Sequence, residues 1–308
     1  MKKRLNFREL SETQLDFFNP APGYAAIIME EFLHQGLYSE MKEVASRMKG
    51  IKNEFHRQLK GSDNRRHEME EHNLVCKFVP KSTYKVDYEG LNEYLHDHYG
   101  LLLHVAKVDH TVIKEDEELC NQLANYQLPL SFYIQPSFNK SGKELIRPSE
   151  ETFEGVETDM LAKGLNRLIP VSEYYENAYE ELKREMMKCS IVKDIIHQYK
   201  DQSEVKQLKK LLKHKYGSVT VISNKPQYDI QKITEDFGHE FLIKHSKPDS
   251  QLLESIILNG WISEKEVKQF KTIIDMPLDF IVMKLDVDRR VTAMYHDQRI
   301  RASLRKSS

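Results

Sequence analysis

The stretch from His72 to Asp109 recurs in shortened form from Tyr216 to Asp249, and this duplication limits what the chain can fold into more than any other feature. Each copy holds an alternating apolar run, a Lys/Pro turn, a Tyr closely followed by Asp, an amphipathic run closed by Gly, and a second apolar run ending in Asp. Gly100 lies 13 residues after Asp87, whereas Gly238 lies 9 after Asp229. The difference is about one helical turn, which leaves the facing of the following segment unchanged. Both copies are preceded by a long amphipathic run and a short polar one. The expected fold is therefore α+β and helix-rich, with two long-helix stalks, each followed by a small strand–helix–strand module.

The expected domain boundaries follow from the repeat. Residues 1–20 form an N-terminal arm and 21–135 the first stalk and module. Residues 136–150, with Asn139-Lys140-Ser141-Gly142, form a linker or hairpin tip. Residues 151–249 form the second stalk and module, and 250–308 a helical or mixed segment with a basic tail. In the first stalk Leu37, Met41, Val44, Met48, Ile51 and Phe55 recur every three or four residues, the spacing of one buried helix face. That spacing suits an intramolecular helix pair better than a long coiled coil. RRHEMEEH and EVKQLKKLLKHKYG are expected as short helices, and Leu74–Val79 as a strand returning through Tyr84–Val86 in a hairpin. Asp87 is expected to cap a helix that Gly100 ends, followed by a buried strand over Leu101–Val108. Trp261, the only tryptophan, is expected as a packing anchor.

At 308 residues the chain can bury about two cores. Its 46 Lys and Arg against 48 Asp and Glu leave no global basic field for nucleic acid, so any such site must be local. Cys76, Cys120 and Cys189 lie far apart with no CxxC spacing, which points to a reducing compartment. No run approaches the ~20 apolar residues of a spanning helix, and no apolar segment follows the basic start. Cytoplasmic localisation without membrane association is the expectation.

The run Lys215-Tyr216-Gly217-Ser218-Val219-Thr220-Val221 with Asp229 and Ile233, and more loosely Val75, Lys77, Val86-Asp87 and Leu91, resembles the helical-stalk accessory proteins of temperate phages, including host-nuclease inhibitors. The resemblance covers about a quarter of the chain, and the duplication departs from that pattern. It implies a non-enzymatic factor that binds a host protein.

Three constellations carry candidate chemistry. In HEMEEH a helix would bring His67 over Glu71, four residues apart, where two side chains can share a metal. His96 and His98 form a short His-rich tract, though a helix points them to different sides. In FIVMKLDVD a strand would put Asp286 and Asp288 on one face, where two carboxylates could hold Mg²⁺ beside a phosphate. That is the basis of an alternative reading as a Mg²⁺-dependent phosphate- or nucleotide-processing enzyme. Against it, no glycine-rich phosphate loop occurs. The plainer reading of the first two is a solvated charged face and helix-end histidines, and Asp286 to Tyr295 could equally be a polar turn between two strands or helix throughout. For nucleic acid, Lys206, Lys209, Lys210, Lys213 and Lys215 cluster before the second repeat, and Arg299 and Arg301 belong to the basic tail.

Together these features point to an intracellular accessory protein without a cofactor. It would act on a macromolecular partner, a host protein before DNA, and its pseudo-twofold repeat also admits a homodimer.

Overall fold

The computed structural model describes residues 24–146, 151–200 and 209–306. The expected N-terminal arm and Lys206 lie outside the described residues. The fold is α+β and helix-rich, with its strands in small antiparallel sheets.

The chain forms two compact units, each assembled from three separate segments. One holds the residues up to Met48, Leu130–Glu151 and Leu168–Asn224; the other holds Lys49–Pro129, Thr152–Arg167 and Lys225 onward. The units therefore interleave along the chain, where the repeat suggested one unit per half.

The first unit centres on a three-stranded sheet ordered Phe132–Phe138, Gly217–Ser223, Lys209–His214. Its core joins the Tyr24–His34 helix (Met29, Phe32, Leu33) to Leu182, Met186, Val192 and Ile195 of the Thr158–Lys188 and Ser190–Lys200 helices, and to Leu212, Val219 and Val221 of the sheet. Ala25 and Ala26, both fully buried, let the first helix lie close. Gly36 at φ +76° separates that helix from Leu37–Leu59, so the first stalk is broken where one continuous helix was expected.

Two expectations fail in this unit. The segment before Tyr216 is not a helix: Lys209–His214 is a strand, with His214 opposite Gly217 across a two-residue turn. The register sets Leu212 against Val219, both buried, a pairing that helical periodicity in KKLLKH conceals. Gly217 is required there, because a Cβ would stand 2.0 Å from the Ser137 carbonyl oxygen. The described part of 136–150 is likewise not a linker. Pro136 lies in an edge strand, where a missing N–H is tolerated. Asn139 caps a Lys140–Glu144 helix, and its side chain also donates to the Lys215 carbonyl.

In the second unit the residues from Asp87 and from Asp229 fold alike. Asp87 caps Tyr88–Tyr99 and Asp229 caps Ile230–Phe237, each accepting a backbone N–H three residues on. Gly100 and Gly238, at φ +61° and +76°, end these helices. Short helices follow at Leu102–Val105 and His239–His245, then three-residue strands, Ala106–Val108 and Ser246–Pro248, and then Asp109 and Asp249 as caps of further helices. The two strands pair antiparallel with Lys107 opposite Lys247. Asp109 N–H reaches the His245 carbonyl and Asp249 N–H the Val105 carbonyl, so the ladder maps onto itself under a local twofold. The expected buried strand over Leu101–Val108 is thus a turn of helix with a short strand.

The strand–turn halves of the repeats part company. Gly217–Ser223 belongs to the first unit, whereas Leu74–Pro80 lies between Arg66–Met69 and Leu278–Lys284 in the second. Leu74–Pro80 does not return on Thr83–Val86; that strand pairs with Lys271–Asp275 instead. RRHEMEEH is not a helix but the Arg66–Met69 strand and a Glu70–His72 3₁₀ turn. Trp261 is 66% exposed and anchors no core.

Candidate functional site

Asp286 and Asp288 do not lie on a strand. The strand stops at Lys284, and both acids fall in the first turn of the Leu285–Lys306 helix, where positions two apart point to different sides. The shared face on which a Mg²⁺ site between them rests is not formed. Asp288 is buried at 2% exposure, and its oxygens accept from Arg66 Nη1 at 2.7 Å and from Lys77 Nζ. Burial pushes its pKa up, but the Lys77 and Arg66 hydrogen bonds outweigh burial and hold the carboxyl below its usual range. Asp286 accepts from Asn73 Nδ2 at 2.8 Å and from Arg290 at 3.1 Å, and these partners also lower its pKa.

Asn73 is the residue that sequence reasoning missed here. It holds the left-handed conformation (φ 50°), its carbonyl accepts the Leu285 N–H and its Oδ1 accepts the Asp286 N–H. It therefore serves two of the donors that a helix start leaves without partners. Arg289, bridging Glu68 and Glu70 at 2.7 Å, completes an ion-pair network that ties the start of the C-terminal helix to the Arg66–Met69 and Leu74–Pro80 strands. This arrangement is chemically a fastening, with each carboxylate matched by cations.

His67 and Glu71 are not brought together as one helical turn. His67 sits on the strand with Nε2 2.8 Å from the Asn64 carbonyl oxygen. Glu71 instead joins His72 and Asp159, one ligand atom of each lying within 4.8 Å of the others, and His72 Nε2 is 2.6 Å from Asp159 Oδ1. This trio lies at the surface, with Glu71 and Asp159 exposed. His96 and His98 occupy the last turn of Tyr88–Tyr99, as read, and diverge: His96 packs its ring 4.3 Å from that of His239, and His98 stacks on Tyr94 at 4.5 Å.

Lys209, Lys210 and Lys213 lie along the Lys209–His214 strand, and Lys215 in its turn. Lys213 and Lys215 are exposed, and Lys215 Nζ stands 5.2 Å from the Tyr216 ring centre. Arg299 and Arg301 belong to the C-terminal helix.

Two exposed features were not anticipated. Every residue from Arg289 to Asp297 of the C-terminal helix is exposed, including Val291, Met294 and Tyr295 at 39%, 51% and 43%. The Lys271–Asp275 strand and its exit expose Ile273, Ile274, Met276 and Leu278, each by more than half. The sequence signal for the second was an Ile-Ile pair between a Lys and an Asp-Met-Pro stop. No described helix is long and apolar enough to cross a membrane. No protein-family model, curated protein or solved structure matches the chain.

Proposed function

We propose that this chain is a non-enzymatic binding protein, an adaptor or inhibitor, that takes hold of an acidic protein surface with its C-terminal helix. The supporting observation is the solvation of that helix. Over the nine residues Arg289–Asp297 every residue is exposed, including the apolar or aromatic Val291, Met294 and Tyr295, and the Tyr295 hydroxyl reaches Glu254 of the Ser250–Leu258 helix at 3.4 Å. An isolated helix gains little from its own hydrogen bonds, and most helical stability in proteins comes from a packed face. A partner groove would supply one, with the unbranched, polarizable Met294 adapting to its shape.

The choice of an acidic partner rests on charge. Arg289 and Arg290 are matched by Glu68, Glu70 and Asp286. Beyond them the helix carries Arg299, Arg301, Arg305 and Lys306 against Asp297 alone, in a chain that is otherwise near neutral. Such a cluster steers association with an anionic surface. The resemblance of Lys215–Val221 and Asp229 to phage accessory proteins directs the search to a bacterial host, with the difference that the segment before Tyr216 is a strand.

The test is affinity capture from a nuclease-treated bacterial lysate, with the full chain and with Val291→Glu/Met294→Glu. The captured protein is then purified and titrated against both. The expected result is an acidic protein whose binding weakens with salt and is lost in the variant. Nucleic acid alone, or capture that ignores the substitutions, would overturn the reading.

A further inference from the structure

We infer that the outward face of the three-stranded sheet in the first unit binds single-stranded RNA. This goes beyond the protein-binding role of the C-terminal helix, which belongs to the second unit, and rests on different residues. Phe132–Phe138, Gly217–Ser223 and Lys209–His214 pair in unbroken register, so successive side chains alternate between two faces. One face is core: Ile134, Leu212, Val219 and Val221 lie on it, packed with the helices. The other carries Tyr133, Gln135 and Ser137 on one outer strand and Leu211 and Lys213 on the other. All five are exposed, Tyr133 at 40% and Leu211 at 48%. Between them the central strand contributes the half-buried Thr220, with Ser218 and Ile222 buried on either side of it.

Charge and the tyrosine ring together select the occupant. Residues 130–143 and 209–223, which build the sheet and its turns, hold six lysines and no aspartate or glutamate, in a chain whose acids slightly outnumber its Lys and Arg. Lys140, Lys143, Lys213 and Lys215 are exposed, and among the described residues none of the four has an ion-pair partner. The Glu30 carboxylate accepts the Lys215 backbone N–H at 3.4 Å but does not pair with its ammonium. Lysines along a face neutralise phosphates, and an exposed ring on that face stacks an unpaired base, since every base has a π-face. A duplex keeps its bases stacked on one another and leaves none for Tyr133. An acidic polypeptide would answer the lysines and leave the ring unused. Gln135 and Thr220 form the cross-strand row between that of Tyr133 and that of Lys213. Both are neutral and both donate and accept, which suits the ribose 2′-hydroxyl and selects RNA over DNA.

Fluorescence anisotropy of a labelled oligouridylate of ~12 residues, titrated with the full chain, tests the inference. The expected result is saturable binding whose dissociation constant rises steeply between about 50 and 200 mM salt. Tyr133→Ala should raise that constant about tenfold, the effect of one lost stacking contact, whereas Tyr133→Phe should keep it within about twofold. Lys213→Gln should weaken binding and flatten the slope of log affinity against log salt by about 0.7, one phosphate contact on a single strand. Both positions are exposed, so these variants should keep the wild-type melting temperature. The matching oligodeoxyuridylate should bind at least about threefold more weakly. Duplex RNA and polyglutamate, at matched charge, should compete at least about tenfold less well than unlabelled oligouridylate. No binding at low salt, indifference to Tyr133→Ala, equal affinity for the DNA strand, or equal competition by the duplex or by polyglutamate would overturn the inference.

Discussion

Lys107 stands directly opposite Lys247 at the centre of the Ala106–Val108 and Ser246–Pro248 ladder, on the local twofold that relates the two copies of the repeat. The two lysines are topologically equivalent but not equally placed. Lys247 Nζ reaches Asp109 at 3.1 Å, whereas Lys107 is exposed. Like charges directly opposed across a ladder are destabilising. Lys107→Thr should therefore stabilise the fold by roughly 0.2–1 kcal/mol, with a β-branched residue better suited to a strand. Lys247→Thr should not, since it also abandons Asp109. Urea midpoints of both variants at low and high salt would check this. The two should differ most at low salt, where screening is weakest, and equal effects from both would refute the asymmetry.

Asn92 fastens the copies to each other. It is fully buried on Tyr88–Tyr99, and its Nδ2 donates to the Ser246 carbonyl at 2.8 Å and to that of Ile243 at 3.1 Å, serving acceptors at the end of the His239–His245 helix. Removing a buried donor leaves its partners desolvated and unmatched, which costs about 1–3 kcal/mol beyond the lost packing. Asn92→Ala should lower stability by at least ~2 kcal/mol. Asn92→Asp should be worse despite its shape, because a carboxylate would face carbonyl oxygens. Equilibrium unfolding would rank the three, and an Asp variant as stable as wild type would exclude this donor role.

How much of this was legible from residues alone depended on sequence distance. The Asp87 cap was readable because its chemistry is local: it accepts an N–H three residues on, and its counterpart Asp229 in the second copy does the same. Gly100 was expected to end its helix and does so. The Arg66–Met69 strand was unreadable because RHEM has no strand pattern; it is held by Asn73 turning the chain back onto Leu74–Lys77. The expected strand pairing of Leu74–Val79 with Tyr84–Val86 gave way to partners about two hundred residues distant, Leu278–Lys284 and Lys271–Asp275. Local turn chemistry could not report that choice. The candidate site was lost for the same reason: Asp286 and Asp288 read as a pair only while their element was taken for a strand, and the cations that take up Asp288 come from Arg66 and Lys77.

Among the carboxylates that shape the acid limb of stability, Glu54 and Glu266 are held well below the usual range. Arg57 and Gln58 hydrogen bonds outweigh burial at Glu54 and, with the Gly155 N–H, hold its pKa at about 2. Ser263 and Tyr99 hydrogen bonds do the same for Glu266, also about 2. Because these folded-state values lie below the usual carboxylate value, the folded chain binds fewer protons than the unfolded one between about pH 4.5 and 2. The stabilisation is thus complete above pH ~4.5 and fades as pH falls toward ~2. Glu54→Gln keeps the shape but cannot ionise. It should be less stable than wild type near neutrality, and the gap should narrow steadily on acidification and close near pH 2. Urea titrations of both chains across that range would measure it, and a gap that stays constant with pH would show that Glu54 acts by packing and not through its charge.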